Sequence, residues 1–97
     1  MPRRIGFHPE ALAELVAAAA WYRERNPATG AAFEAEIDRA IARILEAPER
    51  YPAYVDDTRR YLLRRFPYAV VYRIGSRYIE IVAVAHGRRR PGHWRQR

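Results

Sequence analysis

The sequence of 97 residues contains no cysteine and no lysine. Without cysteine the chain has neither disulfides nor thiolate metal ligands, which fits a reducing compartment. Its apolar runs stay well short of the ~20 residues that span a bilayer. The opening, MPRRIGFHPE, has arginines but lacks the apolar stretch of a signal peptide. We therefore expect a single cytoplasmic domain over residues 1–97, with no membrane contact.

All 18 basic residues are arginine, and they are unevenly distributed. Residues 1–58 hold seven arginines against ten acids, a balance of −3, whereas residues 59–97 hold eleven arginines against one acid, a balance of +10. Guanidinium groups bind phosphate and carboxylate in bidentate fashion. The second half therefore predicts an anionic partner: RNA, DNA or an acidic peptide.

The first half has the periodicity of two helices after a short strand at residues 3–7. His8-Pro9-Glu10 begins the first helix, which continues to Arg25. Residues 26–30, NPATG, are predicted to break the helix, and a second helix then ends at Ala47, before Pro48. So short a loop predicts an antiparallel hairpin, with the alanine run 17–20 as a close-packing face. The apolar stripes are Leu12, Leu15, Val16, Ala19 and Tyr22 on the first helix and Phe33, Ile37, Ile41, Ile44 and Leu45 on the second.

After Pro52 the pattern is that of β-strands, at residues 61–66, 68–74 and 78–85. Gly75-Ser76 suits a two-residue type II′ turn, which would pair Tyr72 with Ile79. The face towards the helices would then carry Tyr68, Val70, Tyr72, Ile79, Ile81, Ala83 and Ala85. The more open face would carry Ala69, Val71, Arg73, Glu80, Val82, Val84 and His86. The order β-α-α-β-β-β predicts an α+β fold, a helical hairpin packed on a small antiparallel sheet.

The histidines are the first candidates for chemistry. His8, His86 and His93 lie too far apart in sequence to suggest a metal site, and the nucleotide-binding, zinc-protease and serine-hydrolase motifs are absent, so we expect no metal and no cofactor. His8 precedes a helix-starting proline and is interpreted as a cap or surface residue. His86 ends the last strand. It either transfers a proton beside the arginines that follow or ties down the terminal segment through a ring nitrogen.

The arginines of the second half are the other candidates. Arg60 and Arg64 are predicted on one face of the first strand of this half, with Arg65 on the other. If that face also holds Arg73 and His86, a basic concavity forms, bordered by the terminal arm. Trp94 then either packs the arm against the sheet or stacks on a base.

Four segments, FHPEALAELVAAAAWY, EAPERYP, LLRRFPYAVVYRI and IVAVAHGRRRPGHW, together resemble the RelE/ParE superfamily. Its members are the toxins of type II toxin–antitoxin modules, often described as plasmid stabilisation proteins. The resemblance covers nearly the whole chain. It implies the β-α-α-β-β-β fold and neutralisation by a cognate acidic antitoxin.

The resemblance implies one of two mechanisms. RelE-type members are metal-independent endoribonucleases that cut messenger RNA on the ribosome with arginines, lysines and a tyrosine, whereas ParE-type members inhibit DNA gyrase and lack those residues. By position, the RelE-type arginine of the middle strand falls on Ala69 and the terminal tyrosine on Trp94. The two lysines fall on Arg60 and Leu62. The arginine after the last strand is retained as Arg88, and a further arginine falls on Arg64.

The residues at positions 69 and 94 favour a ParE-like gyrase inhibitor. The basic second half favours the alternative, a RelE-like ribosome-dependent endoribonuclease, so whether the protein is an enzyme stays open. In that alternative the catalytic groups are Arg64, His86 and Arg88. The predicted target-binding residues are Arg60, Arg64, Arg73, Arg88, Arg89, Arg90, His93 and Trp94.

Overall fold

A computed structural model describes residues 3–97. The elements are β1 (Arg4–Phe7), α1 (Pro9–Arg25), α2 (Pro27–Glu46), a 3-10 turn (Pro48–Arg50), β2 (Thr58–Leu62), β3 (Tyr68–Ile74) and β4 (Tyr78–His86). The helices pack on one face of a four-stranded sheet of order β1-β4-β3-β2, which confirms the predicted α+β architecture. The sheet is mixed rather than wholly antiparallel, because β1 joins the outer edge of β4 in the parallel direction. Within residues 3–97, neither helix is apolar over a length that could cross a membrane.

The junction between the helices is a single residue, Asn26, and not the five-residue break that was predicted. The Asn26 side chain accepts hydrogen bonds from the backbone N–H groups of Ala28 (2.9 Å) and Thr29 (3.3 Å). Pro27 takes the first helical position, where its missing N–H costs nothing. The same residues that looked like a loop therefore cap and begin α2.

Gly30 lies within α2 and allows the two helices to meet closely at this junction. A Cβ atom at Gly30 would lie 2.9 Å from the Cα of Arg23 on α1, closer than such atoms approach one another. The alanine run contributes less than predicted. Ala18 and Ala19 are buried, but Ala17 is exposed.

The apolar stripe predicted for α1 is divided between the core and solvent. Leu15, Ala19 and Tyr22 pack in the core, whereas Leu12 and Val16 are exposed. Small residues of α1, the buried Ala11 and Ala18, pack towards the sheet instead. The aromatic part of this core is centred on Phe33, whose ring lies 5.1–5.3 Å from the rings of Tyr22, Phe66 and Tyr68.

The predicted register of the last hairpin is wrong in two ways. The turn residues are Ser76 and Arg77, one position later than expected, so Tyr72 pairs with Ile81 and not with Ile79. Because a shift of two residues keeps the alternation of the strand, it does not by itself move any side chain to the other face of the sheet. A β-bulge then follows in β4, because Val71 pairs with Ala83 and one residue of β4 is left over.

The bulge reverses the faces of the rest of β4, since one extra residue changes the alternation. Val84 therefore points into the core beneath the helices. Ala83 and Ala85 point to the opposite, open face, where Val82 also lies. The predictions for Ala83, Val84 and Ala85 were therefore inverted. Those for Val82 on the open face and for Val70, Tyr72, Ile79 and Ile81 on the helix face are confirmed.

Candidate functional site

The open face of the sheet is covered by the C-terminal segment, residues 87–97. Trp94 of this segment is only 2% exposed and packs on the apolar side chains of β3 and β4. Its indole stacks on the ring of Tyr54, with the ring centroids 5.6 Å apart. Of the two roles considered for Trp94, packing the arm against the sheet is the one observed. A side chain so buried cannot also stack on a nucleic-acid base.

Beside Trp94 the open face keeps a small pocket of about 190 Å³. Two arginines of the predicted site, Arg60 and Arg89, line it, and His86 borders it at the end of β4. The Arg60 guanidinium carbon lies 4.1 Å from the centroid of the Tyr54 ring, a cation–π contact that holds it over the pocket's aromatic wall. The buried lining residues are all apolar or aromatic: Leu63, Phe66, Ala69, Val71, Ala85 and Trp94. The pocket is therefore a cavity with an apolar floor and a basic rim.

His86 holds the turn that begins the C-terminal segment. Its Nδ1 accepts a hydrogen bond from the backbone N–H of Arg88 at 3.1 Å, and its carbonyl oxygen accepts one from Arg89 N–H at 2.9 Å. Its ring packs edge-on against Tyr68, 5.1 Å away, because the bulge turns it from the open face. This is the tethering interpretation of His86. The three arginines of the turn, Arg88, Arg89 and Arg90, are all exposed.

Arg64 does not lie on a strand, since β2 covers Thr58–Leu62 and not the predicted residues 61–66. Residues 63–67 form a tight turn whose backbone is held by Glu36 of α2, a buried carboxylate that accepts from the N–H groups of Arg64 and Arg65. The Arg64 side chain lines a cleft of about 290 Å³ along the edge of β2, together with Arg43 and Arg60. The strand was misplaced because an acid on a distant helix, and not a pairing strand, satisfies this backbone.

Arg73 also lies on the open face but does not line this pocket, because it sits nearer the β3–β4 turn. Its Nε is 3.6 Å from a carboxylate oxygen of Glu80, and its Nη2 donates to the carbonyl oxygen of Arg97. It lines the hollow beside the β3–β4 turn. The predicted single concavity is therefore wrong, because the arginines are divided among the pocket, the β2 edge and the far end of the sheet.

His93 is turned away from the open face and belongs to a partly buried network around Glu14. Its Nε2 lies 3.0 Å from Oε2 of Glu14 on α1. The guanidinium of Arg97 donates to both oxygens of the same carboxylate, at 2.9 and 3.1 Å. The backbone N–H of Val84 donates to Glu14 Oε1 at 3.0 Å. Burial alone would raise the pKa of Glu14, but these hydrogen bonds outweigh it, so the pKa of Glu14 lies below its ordinary value.

Sequence reasoning missed Glu14 and Arg97, because both resembled solvated surface charges. The spacing of residues on α1 nevertheless contained a signal for Glu14. Glu14 lies three residues after Ala11 and four before Ala18, so it shares their face of α1, and both alanines are buried. An acid on an otherwise apolar face of a helix requires a partner.

The open face differs from the catalytic surface that a resemblance to RelE-type nucleases implies. The two positions at which RelE-type nucleases carry an arginine and a tyrosine hold a methyl group, Ala69, and a buried indole, Trp94. Neither side chain can donate a proton to a leaving group at this surface. The exposed arginines of this surface attract and orient anionic groups but exchange protons poorly near neutral pH. The surface is thus equipped to bind an anionic partner.

Comparison with known proteins agrees with this fold. Residues 5–91 match the family model described as the ParE toxin of type II toxin–antitoxin system, parDE. The chain is similar to a protein named Toxin ParE2 in two strains of Mycobacterium tuberculosis, with 30% identity over 92 residues that cover 94% of this chain and 88% of the relative. A solved structure of the chromosomal ParDE TA system from P. aeruginosa matches with a TM-score of 0.76 at 18% identity, covering 88% of this chain and 96% of that one.

Proposed function

We propose that this protein, which belongs to the ParE toxin family of type II toxin–antitoxin systems, inhibits DNA gyrase in the cytoplasm by binding it. The same proposal makes a cognate acidic antitoxin the partner that neutralises it. Inhibition by binding requires a complementary surface and no acid, base or nucleophile.

The observation that carries the proposal is the chemistry at positions 69 and 94. Ala69 forms part of an apolar pocket floor, and Trp94 is buried beneath the C-terminal segment. A nuclease of the RelE type would use a charged or proton-donating group at these places to stabilise and protonate the cleaved phosphodiester. A protein-binding surface has no such need, and an apolar pocket with a basic rim suits a protein surface that offers an apolar side chain among acids.

The binding surface is assigned to the arginines around that pocket. Arg60 and Arg89 line its rim, and Arg88 and Arg90 extend the basic surface along the exposed turn. These groups confer electrostatic complementarity, which raises the association rate and selects against basic partners. An acidic antitoxin is attracted by the same charges.

The ribonuclease alternative rests on the exposed Arg88–Arg90 turn and on His86, and substitutions at His86 separate the two mechanisms. If His86 acts as an acid or base, both His86→Ala and His86→Asn abolish toxicity. If it only tethers the turn, His86→Asn stays toxic, because the asparagine Oδ1 can accept the same N–H of Arg88. We expect the second result, read out as growth arrest on induction without antitoxin. A non-toxic, folded His86→Asn protein would favour catalysis.

The experiment that tests the proposal compares the two targets directly. The purified protein is added to a gyrase supercoiling reaction and, separately, to a translating extract in which messenger RNA ends are mapped. We expect supercoiling to be inhibited and the messenger RNA to stay intact. Cleavage at codon boundaries with unaffected gyrase would overturn the proposal in favour of the ribonuclease.

A further inference from the structure

Part of the outer edge of β4 is closed by side chains from two other parts of the chain. β1 pairs with β4 only as far as Ile81, whose carbonyl oxygen accepts from the N–H of His8. Beyond that point Arg97 donates to the carbonyl oxygen of Val82 at 2.9 Å, and Glu14 accepts from the N–H of Val84 at 3.0 Å. The bulge in β4 lies at the same place.

Glu14 and Arg97 also bind each other, so helix and terminus meet at this edge. The pair is bidentate and partly buried, with 17% of the Glu14 side chain and 11% of the Arg97 side chain exposed. Bidentate arginine–carboxylate pairs are strong and fix the orientation of both groups. His93 adds a third contact to the same carboxylate, and Glu10 approaches Arg97 Nε at 3.6 Å.

These contacts fix one end of the segment that presents the basic turn. At its other end the N–H of Gly87 donates to the carbonyl oxygen of Pro67 at 2.7 Å. Between the two anchors lie the exposed residues 88–90 and the packed Trp94. His93 and Arg97 lie on either side of Trp94 in the sequence, and both contact Glu14. The Glu14 carboxylate therefore helps to hold the Trp94 indole in place.

We infer that Glu14 is a positioning residue for target binding: from α1 it latches the C-terminal segment in the orientation that presents Arg88, Arg89 and Arg90 to the target. Glu14 itself touches no target in this scheme, since its contacts are with Arg97, His93 and the backbone of β4. The claim that Glu14 affects target binding rests on the proposed function. The claim that Glu14 and Arg97 hold the C-terminal segment in place, here called the latch, does not.

The test uses Glu14→Gln, which keeps the size of the side chain but removes its charge. Glu24→Gln, an exposed acid on the same helix, is the matched control. Arg97→Gln opens the latch from the other side and serves if Glu14→Gln fails to fold. All variants are made in a Trp21→Phe background, because the chain has two tryptophans and Trp94 then supplies the only indole signal.

Three measurements are made on each variant of the 97-residue chain: acrylamide quenching of Trp94, the rate of tryptic cleavage after Arg88 and Arg89, and inhibition of gyrase supercoiling beside growth arrest in cells. Glu14→Gln and Arg97→Gln lose hydrogen bonds to a charged group, so a larger fraction of molecules should have the C-terminal segment released. Tryptic cleavage should therefore be about tenfold faster, and acrylamide should quench Trp94 more strongly. We expect inhibition and growth arrest to weaken while far-UV circular dichroism stays unchanged. Glu24→Gln should match the parent in all of these.

Two results would overturn the inference. In the first, Glu14→Gln and Arg97→Gln show the parent's quenching and cleavage rates, so no latch exists. In the second, the segment is released but growth arrest is undiminished, so its orientation does not matter. Failure of the gyrase proposal looks different, because the parent protein itself would then leave supercoiling unaffected while still arresting growth.

Discussion

Replacing Trp94 by alanine tests whether the C-terminal segment is part of the fold or an attached tail. The indole is 2% exposed and fills the space between Tyr54 and the open face of the sheet. Removal of a buried tryptophan of this kind costs about 3–5 kcal/mol. A domain of this size has a total unfolding free energy of about 5–15 kcal/mol. The loss therefore consumes a large fraction of the stability, and the melting temperature should fall by at least about 12 °C.

Trp21→Ala is the internal control, because this second tryptophan is 53% exposed on α1. Its specific contacts are the Arg25 guanidinium, 3.6 Å from the ring centroid and worth about 0.5–1 kcal/mol at such a site, and the edge of the Tyr22 ring. Thermal and urea unfolding followed by circular dichroism measure both variants. Equal losses for Trp94→Ala and Trp21→Ala would refute the claim that the segment is packed as part of the domain.

Three further substitutions test the helical hairpin and the ionic network. Gly30→Ala should lower stability by about 1–3 kcal/mol despite alanine's better helix propensity, because the added methyl meets the Arg23 backbone; an increase in melting temperature would contradict the close helix contact. Asn26→Ala should cost about 1 kcal/mol through the lost N-cap, while Asn26→Asp should cost much less. Glu14 has a lowered pKa when folded, so its contribution is present near neutral pH and is lost as the pH falls below about 4.5. The stability difference between the parent and Glu14→Gln should therefore be large at pH 7 and shrink in acid, and a difference independent of pH would show that the charge is not responsible.

The sequence predicted the order of the elements because periodicity depends on local spacing alone. The heptad-like spacing of Phe33, Ile37 and Ile44 on α2 requires no knowledge of the rest of the chain. The β-bulge could not be predicted, because no local pattern marks its position. The run Val82-Ala83-Val84 is uniformly apolar, so nothing in its pattern marks which residue is extra. The face of His86 was mispredicted as a consequence.

The candidate site was predicted only in part, because its members are brought together by long-range contacts. Tyr54 and Trp94 are 40 positions apart, yet their stacking places the terminal segment on the sheet. Glu14 and Arg97 are separated by almost the whole chain. Glu14 and Arg97 are recognised as one network only when the first helix is seen to contact residue 97, and no local pattern reveals that contact.

The stoichiometry of gyrase inhibition tests the central claim, inhibition by binding, most directly. Purified protein is titrated into a supercoiling reaction at fixed gyrase concentration, well above the expected dissociation constant. Inhibition by binding predicts loss of supercoiling that becomes complete only when the toxin at least equals the gyrase in number. Inactivation of many gyrase molecules by one toxin chain, or full supercoiling at a large excess of toxin, would contradict it.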